Sequence, residues 1–279
     1  MNTKKWSLIG LLLILIGLAG MAYQHFEFGD ELPSHQQKWT FDQGGLQTLL
    51  IDSDYDVELE FIDSLDGTNY VEINGNMNQK TIDAVKAAQI SEGTLKLDLK
   101  DKFDWTFFSI NFQSTKQRIT VALGDKGELN RIGFKSDSSN GTFRGLRADD
   151  IDLSIDSGNI RVDQFEGTLT AKSSSGNITA NQVKGTVKAT SNSGDIRFNR
   201  FTGDGSFKSN SGNITLSEQR SDNLDISVGS GNATLSADAE FKGYYDLQSG
   251  SGNTTAPDSP RQTQDLIKVR ANSGNIRIR

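Results

Sequence analysis

The chain has 279 residues, of which 34% are apolar and none is cysteine, and its formal net charge is −7. That balance argues against a nucleic-acid binder, which needs a basic face, and weakens direct attraction to anionic lipid or anionic wall polymer. Without cysteine, disulfides, thiolate metal sites and a cysteine nucleophile are excluded.

The first element is an apolar run from Ser7 to Tyr23, preceded by Lys4 and Lys5 and bracketed by Trp6 and Tyr23. It is short for a spanning helix, which needs about 20 residues, but its aromatic ends favour the membrane interface. Residues 1–23 therefore read as a transmembrane anchor with a short cytoplasmic tail. The lysines stay inside, and Glu27, Asp30 and Glu31 lie outside with the bulk of the chain. A cleaved signal peptide is the alternative, with small residues at Gly20-Met21-Ala22. Residues 24–37 are polar and read as a linker.

Residues 38–135 show strand-like runs without a clear repeat: Leu46–Ile51, Asp56–Phe61, Tyr70–Asn74, Thr94–Lys100, Phe103–Phe112 and Arg118–Leu123. One helix is predicted over Asn78–Ile90, with Asn78 as cap and Ile82 and Val85 on one face. The segment is either a set of irregular first coils or a β-rich cap over an open end. Its most apolar stretch contains Phe103, Trp105, Phe107 and Phe108, with a phase shift at Phe107-Phe108 that suggests a bulge. The ordinary reading of that stretch is a core strand. The alternative is an exposed aromatic interaction surface.

From residue 136 onward one motif recurs. It stands at Ser157-Gly158-Asn159, Ser175-Gly176-Asn177, Ser193-Gly194-Asp195, Ser211-Gly212-Asn213, Ser230-Gly231-Asn232, Ser251-Gly252-Asn253 and Ser273-Gly274-Asn275. Counting from Gly141, the glycines are 17, 18, 18, 18, 19, 21 and 22 residues apart. A period near 20 residues is the signature of a solenoid. Between the turns apolar residues alternate, as in Ile151, Leu153, Ile155 before one glycine and Ile160, Val162 after it. Alternation of period two means strands with one buried face. A second turn carries Phe165, Val183, Phe201 and Phe241 near Gly167, Gly185, Gly203 and Gly243. The fold class is thus all-β, a β-solenoid over 136–279. Glycine would supply a left-handed turn and asparagine a ladder of side-chain amides along the axis. The chain ends inside the last repeat, where Lys268, Arg270, Arg277 and Arg279 would guard an open edge or meet a partner.

No chemistry converges. The only histidines, His25 and His35, lie in the linker, which leaves the folded part without a His-based triad or metal site. Calcium repeats need several carboxylates per coil, whereas the turn carries neutral Asn except at Asp195. Acids such as Asp149, Asp150 and Asp152 fall largely at outward strand positions, where solvated faces carry them. A polysaccharide-cleaving carboxylate pair is the remaining enzymatic option, and the expectation is a non-enzyme without cofactor.

The Lys-Lys-Trp anchor, the acidic linker and the repeated Ser-Gly-Asn-Ile turns resemble the LiaG-type membrane proteins of Gram-positive bacteria, part of a broad family of domains labelled as adhesins. The resemblance covers essentially the whole chain. It implies a membrane-anchored protein encoded with an envelope stress-response system, whose partners are the bilayer and a cell-wall polymer or envelope protein. It implies no catalytic residues.

Overall fold

The computed structural model describes residues 10–17, 32–100, 115–124 and 127–279. Helix α1 (residues 10–17) is exposed along its length. Among the described residues no helix is long and apolar enough to cross a membrane. The apolar run Ser7–Tyr23 extends beyond the described residues on both sides of α1.

The rest is one sheet wound on itself. In chain order its first elements are β1 (Ser34–Phe41), β2 (Thr48–Ser53), β3 (Asp56–Asp63), β4 (Asn69–Asn76), α2 (Gln79–Ala87), β5 (Ile90–Ser91), β6 (Thr94–Leu99) and β7 (Lys116–Leu123). Then come β8 (Leu129–Ser136), β9 (Gly141–Leu146), β10 (Ala148–Ser157), β11 (Ile160–Ser175), β12 (Ile178–Ser193), β13 (Ile196–Thr202) and β14 (Gly205–Ser211). The last are β15 (Ile214–Ser217), β16 (Asn223–Ser230), β17 (Ala233–Leu235), β18 (Tyr244–Ser251), β19 (Thr254–Thr255), β20 (Leu266–Ser273) and β21 (Ile276–Ile278).

Each rung places one strand on a first face, turns at Ser-Gly-Asn, and returns along a second face. On the first face the parallel order is β6, β2, β8, β10, β11, β12, β14, β16, β20, β18. On the second it is β7, β3, β9, β11, β12, β13, β15, β17, β21, β19. Period-two alternation puts every second side chain inside. Ile160, Ile178, Ile196 and Ile214, one per rung, are at most 1% exposed, so successive rungs share one aliphatic interior. Where a ring is used, a neighbour shrinks. Gly205 replaces the Val187 and Leu224 of adjacent rungs, and a Cβ there would lie 2.4 Å from Phe207 Cε2. Phe207 then packs edge-to-face with Phe198 and Phe201, centroids 5.0 and 5.6 Å apart.

The repeat extends further toward the N-terminus than its motif does. β2, β3, β6, β7, β8 and β9 continue the parallel register of the motif-bearing rungs. The rung of β6 and β7 is outermost, and its two strands are covered differently. α2 and the short β5 lie beside β6, while β4 and then β1 extend the sheet antiparallel from β7. α2 follows the sequence reading closely. The Asn78 side chain caps it by accepting from the Thr81 N–H, and Ile82 and Val85 are buried. Trp39 of β1 closes the other end by donating to the Ala88 carbonyl at 2.8 Å. Strand β1 begins at Ser34, inside the stretch read as linker, because pairing with β4 satisfies its backbone.

At the far end the stack departs from chain order. β20 and β21, the last strands in sequence, insert between the β16/β17 rung and the β18/β19 rung. Side-chain chemistry explains the exchange. The inserted rung turns Ile267, Val269, Ala271, Ile276 and Ile278 inward, all buried. The β18 strand offers Tyr245, Leu247 and Ser249, which stay partly exposed at the end of the rod. The more aliphatic rung takes the place where both sides are covered. The basic terminus is therefore not an open guarded edge. Lys268 pairs with Asp225 of the preceding rung at 3.8 Å, and Arg270 with Asp246 of the following one at 2.5 Å.

Candidate interaction surface

Three surfaces run the length of the rod: the Ser-Gly-Asn edge and the two sheet faces. The edge is a column of side chains that hold the next rung's backbone. Asn159 N–H donates to Asn140 Oδ1 at 2.9 Å, Asn177 to Asn159 at 3.0 Å, and Asp195 to Asn177 at 2.9 Å. Asn213 N–H donates to Asp195 Oδ1 at 2.7 Å and Asn232 to Asn213 at 3.0 Å. Asn275 and Asn253 continue it in stack order, each at 2.9 Å. Some side-chain amides also bond each other, as Asn159 Nδ2 to Asn140 Oδ1 at 3.0 Å, but the link present at every step is to backbone. The N–H of Asn213 and the nearby Arg197 hold the Asp195 carboxyl below the usual carboxylate range, against a smaller opposing effect of burial.

The glycines of this edge are required by stacking more than by a left-handed turn. Gly158, Gly176 and Gly194 are absent from the positive-φ glycines, whereas Gly212, Gly231, Gly252 and Gly274 have φ between 142° and 158°. What all share is close axial approach. A Cβ on Gly176 would lie 1.8 Å from the Gly158 carbonyl oxygen, on Gly194 2.1 Å from that of Gly176, and on Gly212 2.2 Å from that of Gly194. Inward serines fasten the same carbonyls: Ser191 Oγ donates to Gly176 O at 3.2 Å and Ser209 Oγ to Gly194 O at 3.0 Å. Left-handed residues other than glycine recur at the other corner, on Gln164, Gln182, Arg200 and Glu218, with φ of 62°, 56°, 55° and 50°. No sequence signal marks them, since none is glycine or asparagine.

On the second face the outward row reads Arg118, Glu58, Thr142, Arg161, Thr179, Arg197, Thr215, Thr234, Arg277, Thr255 from rung to rung. Its arginines are largely matched within the chain. Arg161 pairs with Asp163 at 2.9 Å and Arg197 with Asp195. Buried among Lys116, Arg118 and Arg144, Glu58 is met by all three. On the first face one row reads Lys135, Ser154, Lys172, Thr190, Lys208, Ser227, Arg270. Beside it runs Gly133, Asp152, Thr170, Lys188, Ser206, Asp225. Gly133 leaves a depression of about 500 Å³ flanked by Leu50, Lys96, Arg131 and Lys135.

Phe103, Trp105, Phe107 and Phe108, the aromatic surface suggested by sequence, lie outside the described residues. Among the described residues, no group of three His, Asp or Glu side chains is placed to hold a metal ion.

The chain is similar to the solved structure of a candidate adhesin from Bacteroides fragilis at 15% identity and a TM-score of 0.49, over 88% of this chain and 97% of that one. It is similar to a candidate lipid-binding protein from Parabacteroides distasonis at 14% identity and a TM-score of 0.47, over 88% and 96%. A candidate adhesin from the latter organism gives 12% and 0.43, over 89% and 98%. No curated protein matches the chain. Residues 46–279, nearly the whole wound sheet, match the Toastrack DUF4097 family, and the chain belongs to that family.

Proposed function

We propose that this chain is a non-enzymatic rod held at the outer side of the bacterial cell membrane by its N-terminal apolar segment, with its N-terminus in the cytoplasm. It acts by binding a component of the cell envelope, as an accessory protein of the envelope stress response. The observation that carries the binding reading is the in-register repetition of outward rows. One row of the first face alternates a cation with a hydroxyl from Lys135 to Arg270, a geometry suited to an extended partner. Lys4 and Lys5 before the apolar run support the orientation. Protease treatment of intact protoplasts tests the topology: the expected result is digestion of the wound sheet, and protection overturns the reading. Altered sensitivity to wall-active agents on deletion tests the stress-response role, and unchanged sensitivity counts against it.

A second reading, a glycan-binding or adhesive surface, is motivated by the aromatic run around Trp105. It expects the protein to bind wall polysaccharide and Trp105→Ala to weaken that binding. Equal binding by both forms removes it.

A further inference from the structure

Most basic side chains on the rod's strands sit beside a carboxylate of the chain. Arg131 meets Asp152 at 3.6 Å, Lys184 meets Glu166 at 2.6 Å, Lys268 meets Asp225 at 3.8 Å and Arg270 meets Asp246 at 2.5 Å, each pair bridging neighbouring rungs. The centre of the first face departs from this pattern. Lys172, Lys188 and Lys208 are exposed on three consecutive strands, β11, β12 and β14. None of their side chains makes a hydrogen bond or ion pair among the described residues.

The register explains why. Lys172 lies between Ser154 and Thr190, Lys188 between Thr170 and Ser206, and Lys208 between Thr190 and Ser227. Hydroxyls occupy the neighbouring places that carboxylates hold elsewhere. Lys172 and Lys208 share one row two rungs apart, about 10 Å, with Lys188 in the adjoining row. The nearest carboxylates of the adjoining row, Asp152 and Asp225, pair instead with Arg131 and Lys268, so the like charges of the three lysines repel without an ion-pair partner of their own. The net charge of −7 is a sum over the whole chain and does not describe the potential along one row.

We infer that this row is a binding track for a linear phosphodiester polymer lying along the rod axis. Lys172, Lys188 and Lys208 each take one phosphate as a point charge, and Thr170, Thr190 and Ser206 donate hydroxyl hydrogen bonds between them. Lys135 continues the row toward the depression over Gly133. The track is two side-chain rows wide, which suits a flexible single chain better than a rigid duplex. The inference rests on the reading of the rod as a binding surface and names the partner's chemistry. Its failure would leave the protoplast topology test unaffected.

The experiment titrates the full chain, held in non-ionic detergent, into fluorescently labelled poly(glycerol phosphate) over a series of salt concentrations. Binding should weaken steeply with salt. The triple variant Lys172→Gln, Lys188→Gln, Lys208→Gln should lose about tenfold or more in affinity and make the logarithmic salt slope shallower by about 2. A control that removes equal charge elsewhere, Lys86→Gln, Lys184→Gln, Lys242→Gln, should bind like the parent. A glycerol phosphate dimer, too short to span the lysines, should bind far more weakly than the polymer. No binding at low salt, equal loss in the two triple variants, or equal binding of dimer and polymer overturns the track. Tighter binding of single-stranded DNA than of poly(glycerol phosphate) overturns it in favour of a nucleic-acid surface.

Discussion

Replacing Gly176 by alanine tests the stacked edge most sharply. The added Cβ would stand 1.8 Å from the Gly158 carbonyl oxygen, where side-chain carbons essentially never come closer than 3.0 Å. The two turns must separate by roughly 1.2 Å, a quarter of the rung spacing of about 4.8 Å. Three of the hydrogen bonds that cross that junction are Gly158 N–H to Ser175 O at 3.3 Å, Asn177 N–H to Asn159 Oδ1 at 3.0 Å, and Ser173 Oγ to Gly158 O at 3.4 Å. Weakening them costs about 1 kcal/mol each, and overpacking adds about 1–3 kcal/mol. Reduced freedom of the unfolded chain returns about 0.4–1 kcal/mol. The expected loss is about 3–5 kcal/mol. In urea unfolding followed by far-ultraviolet circular dichroism, that lowers the midpoint by about 2 M for a slope of about 2 kcal/mol/M. Gly44 supplies the comparison, with φ of 75° and nothing within 4 Å of its added Cβ. There alanine meets only the backbone penalty of a left-handed residue, about 1–2 kcal/mol. If Gly176→Ala costs no more than Gly44→Ala, close axial stacking is not what demands glycine at the Ser-Gly-Asn edge.

Phe207→Ala should cost about 3–5 kcal/mol, and Gly205→Val should be destabilising alone yet recover part of the loss when combined with it; additive effects in a double-mutant cycle would deny the size exchange between these positions. The Asp195 carboxyl has a depressed folded-state value, so its contribution is present above the unfolded-state value near 3.9 and is lost as pH falls through the folded one. Asp195→Asn keeps an acceptor for the Asn213 N–H and should leave stability near neutral pH within about 1 kcal/mol of the parent while flattening its fall below pH 4; an unchanged acid profile in thermal melts would refute this. The exchanged rung order is checked by oxidation of paired cysteines in this cysteine-free chain. Asp225→Cys with Lys268→Cys should crosslink, because the two positions are in register on adjacent strands. Asp225→Cys with Asp246→Cys should not, being two rungs or about 10 Å apart; the reverse outcome would restore chain order.

The wound sheet was legible because its two signals repeat: aliphatic residues at every second position, and a small turn residue near every eighteenth. Either alone is ambiguous. Together they fixed which residues face inward, as for Ile151, Leu153, Ile155, Ile160 and Val162, all buried. Two features had no such signal. The rungs nearest the N-terminus lack Ser-Gly-Asn, so β2, β3, β6 and β7 read as isolated strands, although their alternation was visible. Which parallel strands become neighbours is a comparison of buried area between rungs, and sequence spacing carries no record of it. Equally spaced repeats can stack in any order their loops allow. The Pro257–Gln264 stretch, between β19 and β20, is what permits the exchange. Arg261 and Gln262 donate backbone N–H groups to Gly243 O and Lys242 O, and Ser259 Oγ accepts from Tyr245 N–H.

The outward faces posed a different problem. A lysine on an exposed strand position reads as an ordinary solvated residue, and nothing in the spacing of Lys172, Lys188 and Lys208 along the chain sets them apart. They become a patch only once winding puts residues 16 to 20 apart in sequence on adjacent strands. The same winding that puts Asp225 beside Lys268 puts Thr190 beside Lys208. Charge composition, the quantity a sequence reports most directly, therefore describes this surface least well. Asp152 and Asp225 in the adjoining row are paired with Arg131 and Lys268, and attraction to an extended anionic partner is decided row by row rather than by the sum.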